Sequence, residues 1–579
     1  MVQFKQVAMT LVLSSSLLMS GIPALASGTD GPAAPTAAVV YSLSEGLHAT
    51  VEGVYNEKTS SGVRLGAVIR LSNTSGQILR IPDYELRVRT VDGISYTLRA
   101  SSSNAHGVQP DSEVELTYMK VVNRQTEVNL SDLSLIDVNY DVYPKQETTL
   151  LTASMNGTVW NGNRGEFKEA SQIKKWGEDF TIPTLESPLH YQTVDVNKSN
   201  SSDGAVYTVK LLVSNPTDQT ETVPALALDG KAGTTLYAGK LVETDSVSIE
   251  PGESKTIHFA IHTEMDTVLD SLNVLTTQSF TQTDTAGNVK TSTFNIGKLN
   301  VALSTEKAAA NGYTYGIPIH FEKWNDVIHP DLDVSLTELH VADNKDQGSK
   351  LAFAKFKLTN KGLKDIPVPA FQTALSSSTG YDYTGSRQSD VQKAVAPGTS
   401  TVVSYSFVLP VTETSESFTM KLQNAVKAAN VDSASAYKST IAAFQVYTQG
   451  QEDRHKISLY PYTVNIKDYY LAQVTSPGQT IAINYTYRLQ LFMDLLRDPQ
   501  VLVDANFAKL KFELVDASGS ILGSKSFPFT GTDRLVNGKQ TLVFSNLNTD
   551  QIQNNVIVNV YESLNTPNGE VDRLIAELK

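Results

Sequence analysis

The chain has 579 residues, 61 acidic against 47 basic for a formal charge of −14, 40% hydrophobic residues and no cysteine. An acidic surface does not displace counterions from nucleic-acid phosphates or dock on anionic lipid, and a chain without Cys has no disulfide, thiol nucleophile or thiolate metal site. The apolar content suits packed cores rather than disorder, and the length suits roughly four domains.

Residues 1–26 have the three parts of a secretory signal: Lys5 as the only charge, an apolar run from Val7 to Leu18, and Ala24-Leu25-Ala26 before a mature start at Ser27. The run is short of the ~20 residues that cross a bilayer. Residues 27–40 read as a flexible leader rich in Gly, Pro, Ala and Thr. No later stretch reaches spanning length, and Val571 to Lys579 offers neither an apolar tail nor a sorting motif. The expectation is a secreted, extracellular protein with no integral membrane segment, free or held non-covalently on a cell wall.

One pattern then recurs. Arg70-Leu71-Ser72-Asn73, Ile81-Pro82, Val108-Gln109-Pro110 and Tyr118 are matched by Leu212-Val213-Ser214-Asn215, Val223-Pro224, Ile249-Glu250-Pro251 and Phe259. They are matched again by Lys357-Leu358-Thr359-Asn360, Ile366-Pro367, Val395-Ala396-Pro397 and Tyr405. The Asn positions lie 142 and 145 residues apart, and the second Pro precedes its aromatic by 8 residues every time. Such a period marks a repeated structural unit. A blurred fourth copy runs through Leu510 to Leu514 and Val536-Asn537-Gly538 to Phe544; Leu489 to Arg497 in it is also compatible with a short helix. The boundaries expected are 41–153, 154–300, 301–448 and 449–579, the second and third units including an interlude before the repeat.

Inside each unit the pattern is period 2. Tyr207, Val209, Leu211 and Val213 share one face against Thr208 and Lys210; Ala352, Ala354, Phe356 and Leu358 share one against Lys355, Lys357 and Thr359. Alternation bounded by Gly, Pro, Asn and Asp predicts half-buried antiparallel strands in two-sheet β-sandwiches, an all-β fold. The Asn is expected to tolerate a left-handed turn conformation and to bond its own local backbone, the apolar-Pro to start a strand or run along an edge, the Pro-Gly or Pro-Asp to set a β-turn, and the aromatic to enter the core. This pattern resembles tandem bacterial immunoglobulin-like modules of the cell-adhesion-related type. The resemblance implies extracellular modules on or near a cell surface, and a Cys-free exported chain of this size resembles Gram-positive products; it supplies no catalytic residues.

Candidate chemistry is sparse. His258 and His262 lie on one predicted strand, where four residues span ~13 Å, too far for one metal. His48 and His190 each precede their unit's Asn by 25 residues and read as repeat positions, while His320, His329 and His340 have no assignable partner. No G-x-S-x-G, HExxH, Walker or G-x-G-x-x-G motif occurs, and a glycosidase pair of distant carboxylates has no spacing signature. Asn197 to Gly204 and Asp343 to Gly348 are oxygen-rich loops that could hold calcium, although the simpler reading is hairpin turns; no other cofactor or metal is expected. Trp160, Trp176 and Trp324 are the only tryptophans. Trp176 and Trp324 recur in the interludes beside Lys and acid, with Tyr469 in the fourth, and read as junction anchors first and sugar-stacking residues second.

The function expected is a non-catalytic structural or binding protein of a bacterial surface or extracellular matrix, partnering a wall or matrix component, another protein or itself. The alternatives are carbohydrate or peptidoglycan binding through Trp176, Trp324 and Tyr469, and a secreted hydrolase. One segment, Val39 to Leu43, could serve as a strand exchanged between fibre subunits.

Overall fold

The computed structural model describes residues 39–579 except 60–61, 125, 127, 156–158, 163–164, 168, 184, 186, 202–203, 284–286, 304–311, 345–346, 427–436, 451–452, 478–482 and 549–554. The expected signal (1–26), and all but the end of the expected leader (27–40), lie outside the described residues.

Strand alternation carries through the whole described chain, with no α-helix among the described residues. Each of four modules opens on a long antiparallel hairpin: Leu47–Thr59 with Gly62–Asn73, His190–Ser201 with Gly204–Ser214, Leu332–Asn344 with Ser349–Asn360, and Tyr462–Pro477 with Ile483–Arg497. A middle strand follows (Glu85–Thr90, Leu226–Ala232, Gln372–Ser376, Lys509–Val515) with a partner of equal or shorter length. A lone strand (Ser112–Val122, Ser254–Thr263, Ser400–Pro410, Gly538–Asn548) then returns to pair with the opening hairpin and completes the first sheet. A closing hairpin joins the middle strand and completes the second sheet: Leu130–Asn139 with Gln146–Ser154, Ser271–Thr283 with Val289–Ala302, Ser417–Val426 with Tyr437–Tyr447, and Ile557–Thr566 with Gly569–Leu578. The apolar faces of the two sheets meet in a core per module, an all-β sandwich-type arrangement four times over; in module 1 Ser95–Ala100 pairs with both Glu85–Thr90 and Ser112–Val122 and joins the two faces into one continuous sheet.

The repeated landmarks earn their places. Tyr118, Phe259 and Tyr405 are buried in their cores, each such side chain contributing about 2–3 kcal/mol. The short ladders Leu79–Arg80 with Gly107–Val108, Glu221–Thr222 with Ser248–Ile249, and Ile366–Pro367 with Ala394–Val395 hold the apolar-Pro segments at an edge. The expected local backbone bond of the Asn is present, its Oδ1 accepting the N–H two residues on, whereas the left-handed conformation is corrected. Asn73, Asn215 and Asn360 have ordinary φ; the positive φ falls on the residue after the second Pro, Asp111 (50°), Gly252 (71°) and Gly398 (69°), as a type II turn requires. Each Asn is instead a buried staple. Asn360 Nδ2 donates to the carbonyls of Lys364 (2.7 Å) and Val395 (2.8 Å) while its Oδ1 accepts from the Gly362 N–H (2.8 Å). Asn73 and Asn215 repeat the arrangement.

The blurred fourth unit is a full module. Leu489 to Arg497, compatible with a helix in the sequence, is strand, because Leu489, Leu491 and Met493 all point into the core. Its missing landmarks have a physical reason. Val501–Leu502 does not form a ladder within its own module as in modules 1–3; it pairs in parallel with Ser400 and Thr401 of module 3. After the opening hairpin Asp498 stands where the others have Asn: its Oδ1 accepts the Gln500 N–H at 3.0 Å.

The interludes add strands. Val159–Trp160 pairs in parallel with Val54 and Tyr55 of module 1, and Ile173–Lys174 with Asn300 and Val301 of module 2. Ahead of module 3, the Tyr313 backbone N–H donates to the Gln445 carbonyl at 2.8 Å and its ring lies tilted 4.4 Å from that of Phe444. Tyr41–Ser44, which overlaps the Val39 to Leu43 segment that could be exchanged in a fibre, pairs here with Leu47–Ala49 of its own chain.

Candidate functional site

The polar face of each opening hairpin is the unusual surface of this protein. Every opening hairpin has a bulge at the same place, after Val51, Thr193, Leu336 and Ile466. Counting cross-strand pairs from it aligns the outward positions: Gly53/Val68, Asp195/Lys210, Glu338/Lys355 and Asp468/Phe492, then Tyr55/Gly66, Asn197/Thr208, His340/Phe353 and Tyr470/Gln490. In modules 1–3 the closing hairpin of the following module covers this face.

Between modules 1 and 2 the cover is mainly apolar. Tyr55, Val68 and Met119 pack with Trp160, Leu275, Phe280, Phe294 and Ile296. Lys298 Nζ donates to the Glu52 carbonyl at 2.9 Å; burial pushes this lysine down to about 8, against the pull of Glu52. A Cβ on Gly297 or Gly165 would stand 2.4 Å from the Trp160 ring, so glycine is what lets the strands close on the indole.

Between modules 2 and 3 the cover is polar. Asp195 and Lys210 capture both backbone groups of Thr440: Asp195 Oδ2 accepts its N–H (2.8 Å) and Lys210 Nζ donates to its carbonyl (2.7 Å). Asn197 donates to the Lys438 carbonyl at 3.1 Å. Burial raises the Asp195 carboxyl and lowers the Lys210 ammonium, each opposed by the other's charge.

Between modules 3 and 4 the cover is ionic. Lys355, 1% exposed, stands 3.0 Å from Glu338 and 2.7 Å from Glu562, as ion pairs without the alignment of hydrogen bonds. Arg573 of module 4 holds Glu562 with two bonds, 2.6 and 3.0 Å. Glu338 accepts the Tyr460 N–H (2.8 Å) and the Ser458 hydroxyl. Burial alone would raise both carboxyls; for Glu338 the Lys355 charge, and for Glu562 the charges of Lys355 and Arg573, hold them below the usual carboxylate range. His340 is lowered to about 4, first by burial and then by Arg573. Two cations and two carboxylates beside a neutral imidazole leave the cluster without net charge. Leu351, Phe353 and Val402 of module 3 belong to the same apolar core as module 4.

The three sequence-predicted site residues stand in different places. Trp176 is half-buried in the turn between Ile173–Lys174 and Asp179–Phe180, flanked by the Lys174–Glu178 ion pair. Trp324 lies at the second junction, its ring 5.3 Å from Lys210 Nζ. Tyr469 donates to the Lys579 carbonyl and lies 5.3 Å under the Arg454 guanidinium. Trp160, which the sequence left without a role, is the anchor of the first junction; the strand glycine Gly297 facing it was the readable signal.

His258 and His262 lie on one strand as expected, with different partners: His258 Nδ1 contacts Glu243 at 2.8 Å, and His262 meets the Tyr437 ring edge-on at 6.3 Å. Among the described residues no group of three or more His, Asp or Glu could hold a metal. The two oxygen-rich loops, read first as hairpin turns and second as calcium sites, are hairpin ends in part outside the described residues (202–203 and 345–346), and Asn197 is engaged by module 3. Among the described residues, open grooves flank the first junction, about 510 Å³ beside Arg99, Ser102, Gln282 and Lys290, and the third, about 520 Å³ beside Arg387, Asp390 and Lys393. No helix among the described residues is long and apolar enough to cross a membrane. No protein-family model matches the chain, and no curated protein matches it.

Proposed function

We propose that this chain is a non-catalytic structural or binding protein, exported to a bacterial surface or extracellular matrix, whose modules are immunoglobulin-like. The strand order supports the module type: an opening hairpin plus a returning strand faces a closing hairpin plus a middle pair, as in seven-stranded sandwiches of that kind. The observation that carries the role is that three successive junctions bury the same outward positions. Residues that would otherwise be free to build sites are committed to joining modules.

Fractionation of cells carrying a tagged copy tests the address. The expected result is recovery in wall, matrix or medium, and retention in the cytoplasm refutes export. Pull-down on purified cell walls, with Trp176→Ala as comparison, separates a wall binder from a free matrix protein.

A further inference from the structure

Three of the four opening hairpins are covered and one is not. In modules 1–3 the outward residues Tyr55, Val68, Asn197, Lys210, Glu338 and Lys355 are all buried. At the register-equivalent places of module 4, Tyr470 is 62% and Phe492 36% exposed, and Asp468 is exposed. Two cations edge this face, Arg488 and Lys539, the latter 5.6 Å over the Phe492 ring.

The covering element has the same asymmetry at the other end of the chain. Every closing hairpin carries a bulge, and the second pair past it lies over the preceding module: Thr276/Ile296, Asn424/Ser439 and Glu562/Arg573, of which all but half-buried Asn424 are buried. Module 1 has Asp137/Thr148 at that place, and both are exposed. Its hairpin tip shows Tyr140 (65%) and Tyr143 (101%) to solvent, beside Asp141. Among the described residues, module 4 thus shows an aromatic face edged by cations that no other module covers, and module 1 shows a closing hairpin with tyrosines and acids that covers no other module.

We propose that module 4's uncovered first-sheet face binds the closing hairpin of module 1 in a second copy of this chain, continuing between molecules the junction that is made three times within one. Such a contact joins two different surfaces, so it adds copies head to tail, growing into a filament unless the rotation per copy closes a ring. The aromatics supply a desolvated centre, and the opposed charges favour this pairing over two like ends. The proposal stands on the junction geometry and needs neither export nor a surface address. A chain that never associates therefore overturns it and leaves the fractionation result untouched.

The test uses the full chain at concentrations from about 1 to about 100 µM, with mass measured by analytical ultracentrifugation. Wild type is expected to grow past dimer with concentration. Tyr470→Asp/Phe492→Asp removes the face and Tyr140→Asp/Tyr143→Asp removes the tip. Each variant alone is expected to stay monomeric over the range, a loss of at least about tenfold in association, and the two mixed to give one-to-one dimers and nothing larger. Tyr470→Ser/Phe492→Thr and Tyr140→Ser/Tyr143→Ser, polar and strand-compatible, replace any Asp variant whose circular dichroism departs from wild type. Monomer at every wild-type concentration overturns the proposal. So does self-dimerisation of the tip variant, which would mean that two module 4 faces pair with each other.

Discussion

Lys355→Met isolates the ionic cover between modules 3 and 4. Methionine keeps the apolar stem, so what changes is one buried charge. Glu562 retains Arg573 at 2.6 Å, whereas Glu338 keeps only neutral donors, the Ser458 hydroxyl and the Tyr460 N–H. A carboxylate 3% exposed is then left without a cation, and removing one partner from such a pair costs about 3–5 kcal/mol. Adding Glu338→Gln takes away the stranded charge and is expected to recover most of the loss, so the double variant is more stable than the single one. A chain of four modules does not unfold in one step. The readout is therefore hydrogen exchange in peptides covering Ser349–Asn360 and Gly569–Leu578, supported by calorimetry. A single-variant loss under about 1 kcal/mol, or a double variant less stable than the single, would refute the reasoning.

Gly297→Ala brings a methyl group against the Trp160 ring and is expected to cost about 1–3 kcal/mol, read as a lower Tm and altered tryptophan fluorescence; wild-type behaviour would mean that the ring is not held there. Asn360→Ala strands the Val395 carbonyl and should cost about 1–3 kcal/mol in thermal unfolding, with Asn360→Asp losing more because its carboxylate faces two carbonyls. Acid should loosen the third junction. His340 is depressed from 6.5 to about 4, so its contribution of about 3 kcal/mol is complete above pH 6.5 and lost as pH falls through 4, with Glu338 and Glu562 adding loss of the same sign at lower pH. Asp229 in module 2, raised to about 6 by burial, works oppositely: its contribution is present below 3.8 and is lost as pH rises through 6. The acid effect must therefore be read from exchange at the third junction, and faster exchange at pH 4.5 in wild type but not in His340→Phe is the expected outcome.

Strand identity was legible because one side of each strand faces a core, and a period of two follows from that alone. Tyr118, Phe259 and Tyr405 were readable for the same reason. The polar side misled. Thr208, Lys210 and Lys355 alternate as solvent-facing residues should, yet they are buried because the next module lies on them; periodicity reports that a side chain leaves its own core, not where it goes. The Asn staples were read as turn conformers because their partners, Val108, Ile249 and Val395, lie 34 or 35 residues away. The fourth unit blurred where Val501–Leu502 left its own module for its neighbour, so a landmark shaped by a second module had no reason to survive.

The direction of cover makes the two ends of the chain unequal lesions. A polypeptide emerging from its N-terminus carries, after each completed sandwich, one wet sheet face that only residues not yet synthesised can dry. Truncation before module 4 freezes that stage, leaving the Lys355–Glu338 pair beside bare Phe353 in water, a sticky surface. Loss of module 1 uncovers Phe280, Phe294 and Ile296 on a single projecting ribbon, a blemish that one or two polar replacements could mend.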